Sequence, residues 1–191
     1  NLIFNLLKMT NIPELESEGV TQTYNKIANA FSNTRTKPWD WIQNFLKSLP
    51  NESSILDIGC GNSRNMTNVR DGQKLQFKGV DSCQKFVDIA IKNGKDVILG
   101  DMCQLPFEDN SFDAILSIAS FHHLSTHDRR QQCLKEMKRV LKPGGKILMS
   151  VWAITQPENS KTYEKFVYGP NIVPWQNKKG VVEGERYYYI F

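Results

Sequence analysis

Short aliphatic runs alternate with longer stretches of helical periodicity along this 191-residue chain, and Gly, Pro and Asn separate them. Val20, Tyr24, Ile27, Ala28 and Phe31 recur at helical spacing, which predicts an amphipathic helix after the polar stretch from Pro13 to Gly19. Ser32 to Thr36 breaks the pattern. Pro38 then suits the first turn of a second helix with Ile42, Phe45, Leu46 and Leu49 inward, closed by Leu49-Pro50-Asn51. Ser54-Ile55-Leu56-Asp57-Ile58 reads as a buried strand, Gly59-Cys60-Gly61 as a tight turn, and a helix is expected from about Arg64. A second strand follows at Phe77-Lys78-Gly79-Val80-Asp81. Phe86, Val87, Ala90 and Ile91 mark a helix closed by Asn93-Gly94, and Val97-Ile98-Leu99 is a third short strand.

Leu105 to Asp113 reads as a loop into the strand Ala114–Ile118. Ser125-x-x-Asp128 has the form of a capping box, opening a helix with Leu134, Met137, Val140 and Leu141 inward. Lys142-Pro143-Gly144-Gly145 stops that helix and turns into the strand Ile147–Trp152. From Ala153 to Glu185 no period survives, so a long loop is expected. Arg186–Phe191 looks like a sixth strand. Strands alternating with helices imply an α/β domain, a mostly parallel sheet covered on both faces. One domain over 1–191 is expected: N-terminal helices as a lid over 1–50, a ligand-binding core over 51–152, and the loop and sixth strand over 153–191.

A strand ending in a glycine turn points to a bound nucleotide, and three residues narrow which one. A dinucleotide fingerprint needs a third glycine where Arg64 stands. Asp57 would crowd a pyrophosphate, yet it is placed to anchor an ammonium through water. Asp81 ends the second strand about twenty residues on, where an acid takes ribose hydroxyls. Asp101 after the third strand suits an adenine amino group, with the Met102 thioether on the ring. This ordered set resembles the class I S-adenosylmethionine (SAM) methyltransferases, most closely in Leu56-Asp57-Ile58-Gly59-Cys60-Gly61. The resemblance implies a Rossmann-like fold whose sheet carries a seventh strand that is not read here. It also implies SAM as cofactor, S-adenosylhomocysteine as product, and a cofactor site built from Tyr24, Asp57, Gly59, Cys60, Gly61, Asp81, Ser82, Asp101, Met102 and Ala119.

Composition changes this picture little. The apolar and charged fractions are those of a globular protein, and the net charge of +4 is compatible with a nucleic-acid partner. Cys60, Cys83, Cys103 and Cys133 form no C-x-x-C pair, favouring reduced thiols in a cytosolic or nuclear protein and no bound metal. Leu2-Ile3-Phe4-Asn5-Leu6-Leu7 is too short and polar-interrupted for a signal or membrane segment, and reads as part of a helix or tail. The absence of an initial Met and the stop inside a strand-like run suggest a trimmed fragment.

Four further runs occur together: Ser32-Asn33-Thr34-Arg35-Thr36-Lys37-Pro38-Trp39, Phe121-His122-His123-Leu124-Ser125-Thr126, Val151-Trp152-Ala153 with Gln156, and Ile172-Val173-Pro174-Trp175 before Arg186-Tyr187-Tyr188. In this order they resemble the eukaryotic tRNA methyltransferases that complete 5-methoxycarbonylmethyl-uridine at the anticodon wobble position. Ser63-Arg64-Asn65 stands where that family usually carries Gly-Lys-Tyr. Ala30 and Tyr189 replace histidines, and Asp40 a proline. The resemblance implies methyl esterification of a carboxymethyl group. A carboxylate of pKa near 4 is already ionised, so no general base is expected.

Arg35, His122 and Trp152 are the candidates for positioning substrate. Arg35 suits a bidentate grip on a carboxylate, either the substrate's or that of SAM. His122 and His123 follow the fourth strand at the ligand-binding edge. One of the pair is expected to be structural, and His122 is favoured for the site. Trp152 suits stacking on the uracil or packing in the core. Lys37, Arg129, Arg130, Lys178 and Lys179 are candidate contacts for the anticodon arm, whose affinity should then fall with salt. The resemblance further implies a small zinc-binding activator subunit, covering the edge strand Val97–Leu99. A small-molecule methyltransferase and a catalytically silent SAM-binding subunit are the competing readings.

Overall fold

A computed structural model describes residues 12–160, 162–177 and 179–191; Leu2–Leu7 and Lys178 lie outside the described residues. Five strands form one parallel sheet: β1 (Ser54–Ile58), β2 (Gln76–Asp81), β3 (Val97–Leu99), β4 (Phe112–Ile118) and β5 (Leu141–Ser150), in the order β3-β2-β1-β4-β5. The order reverses between β1 and β4, which opens a crevice at their carboxyl ends. β1 pairs β2 from Ser54↔Gln76 to Ile58↔Val80 and β4 from Ile55↔Ala114 to Asp57↔Leu116. Flanked on both sides, it buries every residue from Ile55 to Ile58, which accounts for its aliphatic run around Asp57.

Helices cover both faces. α1 (Thr23–Asn33) packs Tyr24, Ile27 and Ala28, together with Val20 just before it, with Phe86 of α3 (Gln84–Lys92). α2 (Asp40–Lys47) buries Ile42 and Leu46 against Ile55 and Leu116. α4 (His127–Val140) buries Cys133, Met137 and Val140 against Leu56, Ile115 and Phe121. Among the described residues no helix is long and apolar enough to cross a membrane.

Besides α4, where Leu134 is exposed and Leu141 opens β5 instead of closing the helix, four elements depart from the pattern read in the sequence. The stretch Pro13–Gly19 is helical rather than a polar lead-in: a turn at Glu14–Glu16 runs into a π-helical segment, Ser17–Gln22, and then α1. Tertiary contacts outweigh local propensity there. Glu16 is buried on Arg129 and Ser125, and Gly19 lets the segment lie against Tyr187, where a Cβ would sit 3.4 Å from the tyrosine Cβ. The helix expected from Arg64 does not form. Asn68 Oδ1 accepts from Leu75 N at 2.8 Å and Gln73 Oε1 from Val69 N at 3.2 Å, so side-chain amides take donors that a helix would have paired internally. The cap of α4 is Thr126, accepting from Arg129 N at 3.2 Å, because the Ser125 hydroxyl is held by Glu16.

The fourth departure is at the carboxyl end of the chain. The expected long loop contains β6 (Gly169–Gln176), antiparallel to β7 (Val182–Ile190), and the pair is a separate hairpin rather than a sixth strand of the sheet. Pro170 and Pro174 disguise β6, but both fall on its exposed parity in an edge strand, where a missing N–H is tolerated. The hairpin roofs the crevice. It is fixed by His123 Nδ1 to Tyr187 O at 2.8 Å, Thr23 Oγ1 to Glu185 O at 2.9 Å, and Phe191 N to Trp152 O at 3.1 Å.

Candidate active site

The crevice encloses a cavity of about 270 Å³, floored by the carboxyl ends of β1, β2 and β4 and roofed by α1 and β7. Gly59 adopts φ +68°, and a Cβ there would come within 2.3 Å of Ser120 Cβ, so only glycine lets β1 turn this close to the end of β4. Gly61, at φ +55°, would project a Cβ into open space. That opening is a cradle for a ligand lying along the turn.

One carboxylate lies on the floor and one just beneath it. Asp57 is buried and, among the described residues, neither of its oxygens has a hydrogen-bond partner. Burial pushes its carboxyl up to about 7, the Asp81 charge adds to this, and Arg64 opposes it. Such an orphaned acid needs a cationic or donating ligand group, directly or through water. Asp81 accepts from Gly61 N at 2.8 Å and Cys83 N at 2.9 Å, which aims it across the turn with lone pairs to spare. Burial raises it to about 6, against those backbone bonds.

The third acid is engaged. Asp101 is gripped bidentately by Arg129, at 2.7 and 3.0 Å, and accepts from Cys103 N, while Oδ2 keeps room for one further donor. Arg129 also bonds Glu16 at 2.8 and 3.0 Å. It therefore leaves the set of free RNA-contacting charges. Arg130 leaves it too, lying 3.8 Å from the Tyr189 ring centroid and donating to Leu124 O. Lys37 and Lys179 remain exposed.

Above the floor stand three guanidinium groups that, among the described residues, pair with no carboxylate: Arg35, Arg64 and Arg186. Arg35 packs 3.9 Å from the Phe31 ring centroid. Burial lowers its pKa; burial and then the Arg35 charge lower that of Arg64. Arg186 is 6% exposed, and its nearest contacts, Tyr24 Oη at 3.5 Å and Pro174 O at 3.3 Å, are long for charged donors. Its Nε has no partner among the described residues. The sequence reading missed Arg186 as a site residue; the available signal was a lone charge inside an aromatic strand.

The histidine pair divides differently from the favoured reading. His123 lines the cavity, whereas His122 is 0% exposed and lies behind it. The Tyr187 carbonyl can only accept, so His123 Nδ1–H donates to it, and Nε2 accepts from the Tyr24 hydroxyl at 3.1 Å. Burial holds this ring neutral, its pKa down to about 4. His122 receives Trp152 N at Nδ1, 3.4 Å, and packs on Tyr188 with centroids 4.6 Å apart. Trp152 lines the cavity edge-on to Tyr188 at 5.1 Å. Tyr24, Gly59, Cys60, Gly61, Asp81, Ser82, Asp101, Met102, Ala119 and Arg35 also line it; Asp57 lies just beneath the turn.

An orphaned acid beneath an open glycine turn, a second acid aimed across it, and unpaired cations above together fit a ligand with an ammonium, a ribose and a carboxylate, as SAM has. Fold and site define a class I SAM-dependent methyltransferase, and a family profile described as a methyltransferase domain matches residues 56–149. The chain is similar to the Schizosaccharomyces pombe tRNA (carboxymethyluridine(34)-5-O)-methyltransferase, 40% identical over 87% of this chain and 71% of that protein. It is 41% identical to the Mus musculus tRNA (carboxymethyluridine(34)-5-O)-methyltransferase ALKBH8 over 83% of this chain, which spans only 23% of that protein. The chain belongs to the tRNA (carboxymethyluridine(34)-5-O)-methyltransferase family. Among solved structures it is similar to a methyltransferase in complex with the Haloferax volcanii Trm112 methyltransferase activator: TM-score 0.53, 25% identity, covering 66% of this chain and 57% of that one.

Proposed function

We propose that this chain esterifies the carboxymethyl group of 5-carboxymethyluridine at the wobble position of a tRNA anticodon, giving the methyl ester. The supporting observation is the cluster of Arg35, Arg64 and Arg186, three cations that pair with no carboxylate among the described residues and line one cavity. Two carboxylates have to be held there, one on the methyl donor and one on the substrate. SAM supplies, when bound, an electrophilic methyl group on a sulfonium. Arg64, nearest the Gly59–Gly61 turn and Asp57, faces the amino-acid end of the donor. Arg186, with Trp152 and Tyr188, orients the substrate carboxylate, and Arg35 lies between the two. The substrate carboxylate is ionised at neutral pH, so no residue has to take a proton. His123 agrees with this, being neutral and doubly hydrogen-bonded rather than poised as a base. The contribution of the arginines is alignment, worth up to about 7–11 kcal/mol for well-oriented reactants.

The reading includes a small activator subunit on the exposed β3 edge, where Ile98 and Leu99 face solvent. The test uses labelled SAM with an anticodon stem-loop bearing 5-carboxymethyluridine, with and without activator. An alkali-labile methyl ester on that uridine is expected. Transfer only to small metabolites, or SAM binding without turnover, overturns the reading.

A further inference from the structure

Trp39 and Trp41 are both 43% exposed, an unusual degree of exposure for two indoles. Their rings lie nearly parallel, 14° apart with centroids at 5.8 Å. The Arg64 guanidinium sits 4.2 Å from the Trp39 centroid. The pair is not a remote patch, because Trp39 and Arg64 both line the cavity mouth. Nor does it belong to the core: the inward face of α2 is Ile42, Phe45 and Leu46, with Leu49 just beyond it, and Trp41 is outside that cluster.

The platform is also anchored. Asn62, next to the Gly61 turn, donates from Nδ2 to the Arg35 carbonyl at 2.8 Å, tying the segment before Trp39 to the ligand-binding turn. Its position relative to the cavity is thereby fixed. Lys37 adds an exposed positive charge two residues before Trp39. Parallel exposed aromatics with cations beside them match the chemistry of an unpaired nucleotide: a base to stack and a phosphate to neutralise.

We propose that Trp39 and Trp41 form a stacking platform for an unpaired RNA base flanking the one that enters the cavity. The platform holds the loop open with the target nucleotide over the site. This rests on the RNA reading above and adds a base-binding surface to it.

The test is a double-mutant cycle between protein and RNA. Affinity is measured for the anticodon stem-loop and for stem-loops with one abasic residue at each loop position other than the target. Trp41→Ala should weaken binding of the intact stem-loop roughly 5- to 150-fold, the range for one lost base–aromatic stack. Trp41→Phe should recover most of it. One abasic position should weaken wild-type binding similarly and have no further effect on Trp41→Ala. SAM affinity, measured by calorimetry, controls for folding. If the wild-type protein does not bind the stem-loop, the RNA reading and the platform both fall. If it binds and Trp41→Ala binds equally, or no abasic position is masked by the substitution, the platform alone falls. Loss of a protein partner by Trp41→Ala with RNA affinity intact likewise overturns it.

Discussion

Arg186 is held in place at a cost to stability. A buried guanidinium with long hydrogen bonds and a free Nε is less well satisfied than it would be in water. Arg186→Met should therefore raise the melting temperature of the ligand-free protein, by about 2–4 °C per kcal/mol gained, while methyl transfer falls at least tenfold. Arg186→Lys keeps the charge but loses the planar fork, so transfer should be only partly recovered. Asp57 carries the opposite charge and the same logic. Its folded pKa of about 7 lies above the unfolded value near 4, so between those limits the native state holds a proton that the unfolded chain has released. Ligand-free stability must then fall as pH rises through that window, and the penalty is complete above pH 7. Thermal melts should show the wild type losing more stability than Asp57→Asn between pH 5 and pH 8. Asp57→Asn should also weaken SAM binding about 10- to 150-fold, the range for one lost charged hydrogen bond.

At one wall of the site the N-terminal helical segment and the start of α4 hold each other. Glu16 accepts from Arg129 and from both Ser125 N and Oγ, while Arg129 grips Asp101 on the cavity wall. The N-terminal helical segment is thus latched to the acid proposed to meet the adenine. Glu16→Gln keeps the shape and loses the charge; it should lower the melting temperature by a few degrees, from about 1–3 kcal/mol, and speed proteolysis at residues 13–22. SAM should protect that site. If cleavage is unchanged with and without the substitution, the latch has no role in holding the lid. These elements also show what the sequence carries. β1, β3 and β4 were legible because each is short, largely aliphatic and bounded by turn residues; the start of β5 was not, since Leu141, read as the inward end of a helix, opens that strand instead. Asp57 and Asp81 were legible because each sits at a strand end. The stretch between Gly61 and β2 was not, since Asn68 and Gln73 replace helical carbonyls with side-chain amides. β6 was hidden by its prolines. Arg186 and Glu16 needed distant partners, 162 and 113 residues away, that no local period records.

At the scale of the whole molecule, the sheet order leaves two open edges, β3 and β5, and the active site opens between them. The two edges differ in what they expose. β3 is a three-residue strand whose Ile98 and Leu99 face solvent, and Ile91 of α3 is exposed as well. An apolar edge with unpaired backbone donors and acceptors is a template for another chain, and natural edges are usually blunted by charge. Here no charge interrupts Val97-Ile98-Leu99, whereas β5 carries Lys142 and Lys146. Strand addition by an activator at β3 would pair the backbone and cover the aliphatic side chains together. Because β3 pairs in the sheet only with β2, from Gly79↔Val97 to Asp81↔Leu99, and Leu99 is already exposed, a lysine at 99 would face solvent and leave the core intact. Leu99→Lys should thus keep the circular dichroism spectrum and melting cooperativity of the isolated chain while abolishing co-purification with activator. Activator-dependent methylation should disappear with it. If Leu99→Lys still assembles with activator at unchanged affinity, the docking surface is not the β3 edge.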